Sequence, residues 1–132
     1  MFLLDTNTCI YFMKDLYPAL TNRFLAAKPS DLAISSVTVF ELEYGAAKSK
    51  WSEKTREKLA LFLSPFRILP SHAEDAVVAA NIRAHLVQRG TPIGPYDVQI
   101  AGQALARDLT VITHNTAEFS RVPGLKWEDW VC

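Results

Sequence analysis

Short apolar runs alternate with longer amphipathic segments along the whole chain. A short continuous apolar run is typical of a strand buried on both faces, whereas apolar residues spaced three and four apart are typical of a helix. The predicted strands are residues 2–4, 32–35, 66–69, 109–113 and 125–127, the last as an edge strand. The predicted helices are residues 9–13, 17–27, about 37–48, 52–65, 71–89 and 96–107, with a short helical turn at 116–119.

This alternation of strands and helices predicts βα units, and therefore an α/β fold around a mostly parallel sheet of four or five strands. A length of 132 residues is that of one domain, so we expect a single domain over residues 1–132. The Pro/Gly-rich stretch at 91–95 is too short to link two domains, which predicts a structured loop.

Polar residues at the segment boundaries predict where the helices begin. Thr6 or Asn7 is placed to cap the first helix, and Ser36 or Thr38 is placed to cap the third. The sequence at 71–74, Ser-His-Ala-Glu, matches a capping box, in which the first and fourth residues bond to each other's backbone N–H groups.

Composition excludes several classes of protein. Hydrophobic residues make up 49% of the chain and charged residues 21%, so the chain can bury a core. Fourteen basic residues balance fourteen acidic ones, so nucleic-acid binding would have to depend on a local cluster. Cys9 and Cys132 form neither a disulfide framework nor a zinc motif, which indicates a reducing compartment. No apolar stretch approaches ~20 residues, so we expect neither a signal peptide nor a membrane span.

Three carboxylates stand at unusual places. Asp5 ends the first apolar strand, and Asp97 opens a helix of small residues after the loop at 91–95. Glu41 lies on or beside the apolar stripe of its helix, where a lone charge is costly. Each has a simpler interpretation: Asp5 and Asp97 can be helix caps, and Glu41 can close a capping box with Thr38.

A fourth polar group follows the strand at 109–113. It contains Asn115 and Glu118, and in a parallel sheet this loop lies on the same edge as Asp5. Several carboxylates at one edge repel each other unless a cation neutralises them, and oxygen ligands suit Mg²⁺ or Mn²⁺ better than zinc. Such a cluster is suited to hydrolysing phosphodiesters with a metal-activated water.

In these stretches the chain resembles the PIN-domain ribonucleases, and within them the VapC-type toxins of type II toxin–antitoxin systems. The matching stretches are Leu3-Leu4-Asp5-Thr6-Asn7, residues 34–38 leading to Glu41-Leu42-x-Tyr44-Gly45, Gly94-Pro95-Tyr96-Asp97-x-x-Ile100-Ala101 and Thr113-His114-Asn115-Thr116-x-Glu118-Phe119, followed by residues 121–125 and 128–130. Four motifs in this order and spacing, spread over nearly the whole chain, make the resemblance specific.

The resemblance implies a three-layer fold with a central parallel sheet between helices. It implies a cytoplasmic Mg²⁺- or Mn²⁺-dependent endoribonuclease, usually homodimeric, that a VapB-type antitoxin silences and whose RNA substrate is often tRNA. Carried over by position, Asp5 and Asp97 would be the main metal ligands and Glu41 the third acid, with Thr6 and Asn7 orienting the site. Many relatives have an aspartate at position 115, so Asn115 adds no charge there, and Glu118 would supply the missing acid.

Two alternatives stay open at this point. The acidic edge would also suit a metal-dependent phosphohydrolase acting on DNA or small phosphates, and Asn115 would also suit an inactive RNA-binding module. A basic cluster at 48–58, containing Lys48, Lys50, Lys54, Arg56 and Lys58, is either a phosphate-binding surface or a solvated helix face. We favour the helix face, with the lysines and arginine paired to Glu53 and Glu57.

Overall fold

The computed structural model describes residues 1–131, so Cys132 lies outside the described part of the chain. Five short strands lie in one sheet: β1 (Phe2–Leu4), β2 (Leu32–Ser35), β3 (Arg67–Leu69), β4 (Thr110–Ile112) and β5 (Lys126–Glu128). Seven α-helices connect them: α1 (Thr6–Met13), α2 (Pro18–Ala26), α3 (Ser36–Ala47), α4 (Ser52–Leu63), α5 (Ala73–Gln88), α6 (Pro95–Ala106) and α7 (Thr116–Phe119). A 3₁₀ turn covers Pro29–Asp31.

All four strand pairings in the sheet are parallel, and the strand order is β3-β2-β1-β4-β5. The sequence prediction of a mostly parallel sheet with an edge strand near residue 126 is therefore confirmed. Because β1 is the central strand, the turn after it lies between the turns that follow β2 and β4. The carboxyl ends of these three strands meet at one edge, where open α/β sheets bind their ligands.

The core forms one layer on each face of the sheet because successive side chains of a strand point in opposite directions. Leu3 and Val111 pack with α5 and α6, while Leu4 and Ile112 pack with α1 to α4 on the other face. These four strand side chains are 0–1% exposed, which explains why the strands read as continuous apolar runs. The result is the three-layer arrangement that the resemblance implied.

One close contact joins α5 to α6. A Cβ atom placed on Gly102 would lie 2.6 Å from the Cβ of Ala79 and 2.7 Å from its Cα and backbone nitrogen. No side chain fits in this space, so the small residues of α6 allow the two helices to pack backbone against backbone.

Two helix starts differ from the sequence prediction. The cap of α3 is Ser35, the last residue of β2, whose hydroxyl accepts the Val37 N–H at 3.0 Å; neither Ser36 nor Thr38 is the cap. The capping box of α5 lies one residue later than predicted, since the His72 N–H donates to Asp75 at 2.8 Å and Glu74 takes no part. For α3 a neighbouring serine was available as the cap, and for α5 two neighbouring acids, Glu74 and Asp75, could close the box, so the motif alone could not fix the register.

Asp75 also binds Arg107 at the C-terminal end of α6. Its two carboxylate oxygens accept from Arg107 Nε at 3.2 Å and Nη2 at 2.7 Å, and Arg107 donates to the Pro70 carbonyl at 2.7 Å. The Arg107 guanidinium, together with the His72 N–H, holds the pKa of Asp75 below its ordinary value.

Among residues 1–131, no helix is both long enough and apolar enough to cross a membrane.

Candidate active site

Asp5 lies in the turn from β1 to α1 and is 2% exposed. It is the N-cap of α1, because its Oδ1 accepts the Thr8 N–H at 2.8 Å; the cap is neither Thr6 nor Asn7. Capping explains where the side chain lies, but a cap does not have to be buried. Burial raises the pKa of Asp5 and the nearby Glu41 charge adds to this, whereas hydrogen bonds from the Thr113 side chain and the Thr8 N–H oppose it.

Glu41 comes to Asp5 from the neighbouring helix, α3. Its Oε1 accepts the Thr6 hydroxyl at 2.7 Å, and the Thr6 Oγ1 lies 3.2 Å from the Thr38 Oγ1. The alternative in which Glu41 forms a capping box with Thr38 is therefore wrong, because Thr38 is not the cap and the carboxylate bonds across to α1. Thr6 holds this acid toward the strand edge, whereas Asn7 is exposed and makes no side-chain hydrogen bond within residues 1–131.

Asp97 is in the first turn of α6, which begins at Pro95. A Cβ atom on Gly94 would lie 3.1 Å from Asp97 Oδ2, so the glycine leaves room for the carboxylate beside the backbone. The pKa of Asp97 is raised to about 7, first by burial and then by the charges of Asp5, Glu118 and Glu41. A hydrogen bond with Glu118 raises it further.

Asn115 and Glu118 complete the cluster from the loop after β4. The Asn115 side-chain amide donates to Glu118 Oε2, and its backbone N–H donates to Thr113 Oγ1 at 2.9 Å. Asn115 thus orients the carboxylate of Glu118. The structure therefore gathers Asp5, Glu41, Asp97 and Glu118 at one edge of the sheet, with Asn115 beside them.

The chemistry of these donors suits a divalent cation. Four carboxylates share one partly buried site, and both burial and the charges of the other three acids raise the pKa of Asp97. Within the described residues, no three His, Cys, Asp or Glu side chains are already arranged to hold a metal ion. Mg²⁺ does not require such a cage, because it commonly binds through one or two carboxylates and keeps several waters.

Sequence reasoning missed two residues that position the acids. Thr113 is 1% exposed and bonds to both Asp5 and the Asn115 backbone, and Thr8 donates its hydroxyl to the Ile112 carbonyl at 3.0 Å. Both tie the turn after β1 to the end of β4. The position of Thr113 at the end of a buried strand was the available indication of its role. The partners of Thr8 and Thr113 lie more than 100 residues away, so they can be assigned only once β1 and β4 are known to pair.

His114 makes its contacts outside the acidic cluster. Its Nδ1 lies 2.9 Å from Asp129 Oδ2, and its ring packs near Tyr11 and Tyr17, with centroids at 6.3 and 5.8 Å. This residue therefore helps to join α1 to the C-terminal segment.

Comparison with known proteins agrees with this arrangement. Residues 2–125 match the family described as PIN domain. The chain is 43% identical over 129 residues to the "tRNA(fMet)-specific endonuclease VapC" of Salmonella typhimurium, covering 98% of this chain and 97% of that protein. It is 38% identical over 131 residues to "Ribonuclease VapC2" of Rickettsia felis, covering 98% of each. The solved structure of DNA-bound VapBC from Salmonella typhimurium superposes with a TM-score of 0.91 at 43% identity, covering 98% of this chain and 97% of that one.

Proposed function

This chain belongs to the PIN domain family, and from that premise we propose that it is the toxin of a VapBC-type toxin–antitoxin pair, an endoribonuclease that hydrolyses RNA. The observation that carries the proposal is the acidic cluster at the carboxyl ends of β1 and β4, with the pKa of Asp97 near 7. The substrate class we propose is tRNA, because a relative 43% identical over 98% of the chain is named as a tRNA endonuclease.

Asp5 and Asp97 would hold a Mg²⁺ or Mn²⁺ ion, with Glu41 as the third acid. When bound, such an ion activates a water for attack on a phosphodiester and stabilises the charge that develops on the phosphate oxygens. Three side chains position these acids: Thr6 orients Glu41 through its 2.7 Å hydrogen bond, and Thr8 and Thr113 fix Asp5.

Glu118 lies beside Asp97, where its charge adds to the burial that raises the pKa of Asp97 to about 7 in the metal-free chain, and Asn115 keeps Glu118 in place. In-line attack by water on the phosphorus leaves a 5′-phosphate and a 3′-hydroxyl, with the proton passing to the departing oxygen.

The proposed partner is a VapB-type antitoxin, since the similar structures are VapBC complexes. We propose that the chain forms a homodimer, acts in the cytoplasm and is one PIN domain over residues 1–132.

The test is a side-by-side digestion of tRNA and DNA by the purified chain with Mg²⁺, followed by sequencing of the product ends. We expect cleavage of RNA with 5′-phosphate and 3′-hydroxyl ends, and loss of cleavage in Asp5→Asn and Asp97→Asn, both of which should stay folded. Cleavage of DNA in preference to RNA would favour a different phosphohydrolase. If both variants stayed fully toxic when expressed in cells, the chain would be a binding module without catalysis.

A further inference from the structure

A second surface of the chain has the composition of a nucleic-acid binding site. It lies at the end of α3 and the start of α4, and we call it the basic–aromatic surface: Tyr44, Lys48, Lys50, Trp51, Lys54 and Lys58. We propose that this surface binds a single strand of the substrate RNA beside the acidic cluster. The inference rests on the proposed function, since it assigns the RNA a path over the protein.

The aromatic side chains of this surface are unusually exposed. Trp51 is 68% exposed and Tyr44 is 59% exposed, although both are large enough to fill a core. Lys48 Nζ lies 4.9 Å from the centre of the Tyr44 ring, and Lys50 Nζ lies 5.8 Å from that of Trp51. Rings interleaved with cations are how proteins hold single-stranded nucleic acid, with bases stacked on the rings and phosphates on the charges.

The lysines of this surface form no ion pairs. The sequence predicts pairing with Glu53 and Glu57, but in the part of the chain that the structure describes, no lysine or arginine between residues 48 and 58 forms an ion pair. The predicted pairing is therefore wrong, whereas the predicted solvated helix face agrees with the exposure of these side chains. A set of lysines without ion pairs suits a polyanion, which releases counterions when it binds.

The Trp51 side chain stands between two shallow recesses. One has a volume of about 260 Å³ and is lined by Trp51, Lys54, Thr55 and Lys58. The other, of about 440 Å³, lies on the Lys50 and Glu53 side. The backbone here is held in place, since the Trp51 N–H donates to Ser49 Oγ at 3.2 Å and the Thr55 N–H donates to the Trp51 carbonyl at 2.9 Å.

The basic–aromatic surface is continuous with the acidic cluster. Glu41, Tyr44 and Lys48 follow each other along α3 at spacings of three and four residues, which places them on one face of the helix. Glu41 and Lys48 are seven positions apart, which corresponds to about 10 Å along the helix axis. A strand whose phosphate lies at the acids can therefore pass over Tyr44 and reach the lysines.

The test is the affinity of the full-length chain for a labelled single-stranded RNA, measured by fluorescence anisotropy over a range of salt concentrations, with EDTA present so that nothing is cleaved. Trp51→Ala should bind about five- to a hundredfold more weakly with an unchanged salt slope, because it removes stacking and not charge. Trp51→Phe should retain most of the affinity.

The charge is tested by the double variant Lys54→Ala/Lys58→Ala, which keeps the helix intact. It should reduce the slope of log affinity against log salt by about 1.4, the value for two phosphate contacts on a single strand. The matched control is Lys28→Ala/Arg89→Ala, which removes the same charge from exposed sites elsewhere and should leave the slope unchanged.

RNA affinity equal to that of the original chain in both Trp51→Ala and the Lys54/Lys58 variant would overturn the surface. Polyglutamate serves as a second probe. If these variants lost binding to polyglutamate but kept the RNA affinity of the original chain, the result would overturn the RNA proposal in favour of an acidic protein partner. Cleavage of RNA with Mg²⁺ is measured in parallel on the original chain. If the original chain cleaves RNA and the variants bind RNA as tightly as it does, the proposed surface is wrong and the proposed function stands. If the variants bind RNA more weakly but the original chain cleaves no RNA, the surface stands and the proposed function is wrong.

Discussion

Replacing Asp97 by asparagine should make the metal-free protein more stable at about pH 8. The carboxylate lies beside the charges of Asp5, Glu118 and Glu41, and its pKa is raised from the ordinary 3.8 to about 7. At a pH above 7 the folded protein must keep this group ionised among other anions, and a neutral amide of the same shape removes that repulsion.

The size of the effect follows from the pKa. A rise of about three units, at 1.36 kcal/mol each, gives an upper limit of about 4 kcal/mol. Asp97 is only partly buried, so solvent screens part of this, and we expect a gain of about 1–2 kcal/mol. An acid with a raised pKa supports stability below its unfolded value and loses that contribution as the pH rises through the folded value. The gain should therefore fall toward zero at about pH 4.

The assay is urea unfolding of both proteins in EDTA at several pH values between these limits. Asp108→Asn is a suitable control, because Asp108 is ion-paired with Lys126 at 2.8 Å and its positive φ of 56° is tolerated by asparagine. The control should show no gain at any pH. If Asp97→Asn were no more stable than the original chain at high pH, burial and neighbouring charge would not destabilise the ionised form of Asp97.

Two further predictions concern the packing that supports the site. Gly102→Ala should destabilise the fold by about 2–4 kcal/mol in thermal or urea unfolding, because its new methyl group would meet the backbone of Ala79. Gly45→Ala has open space around it and should be neutral or stabilising by about 0.5–1 kcal/mol. Equal effects of the two substitutions would contradict this prediction. Arg107→Met should cost about 2–3 kcal/mol at neutral pH, because it leaves the buried Asp75 carboxylate without its cation. The pKa of Asp75 is lowered, so the stability from this ion pair is present above the ordinary 3.8 and is lost as the pH falls. A cost of Arg107→Met that does not shrink below that pH would contradict the assignment, since only the hydrogen bond to the Pro70 carbonyl should remain.

The sequence patterns predicted the strands and the convergence of strand ends because each depends on local periodicity and one topological rule. Asp5 follows directly on β1 and Asn115 lies three residues after the end of β4, so a parallel sheet brings them to the same edge. Asp97 and Glu41 were identified because each carboxylate stood in a segment of small or apolar residues.

The contacts that orient these acids were not predictable from local pattern. The Thr6 hydroxyl meets Glu41 across 35 residues, and Thr113 meets Asp5 only because β4 is the neighbour of β1. The predicted pairing of Lys54 and Lys58 with Glu53 and Glu57 was wrong for a similar reason. Helical spacing shows which charges can pair, but rotamers and solvent decide whether they do, and surface pairs gain little.

The most direct test of the central claim is calorimetric titration of Mn²⁺ into the purified, antitoxin-free chain. We expect Mn²⁺ to bind at the acidic cluster, with binding lost in Asp5→Asn and in Asp97→Asn but retained in Asp108→Asn. Binding of equal strength in Asp5→Asn and Asp97→Asn, or no binding to the original chain, would contradict it.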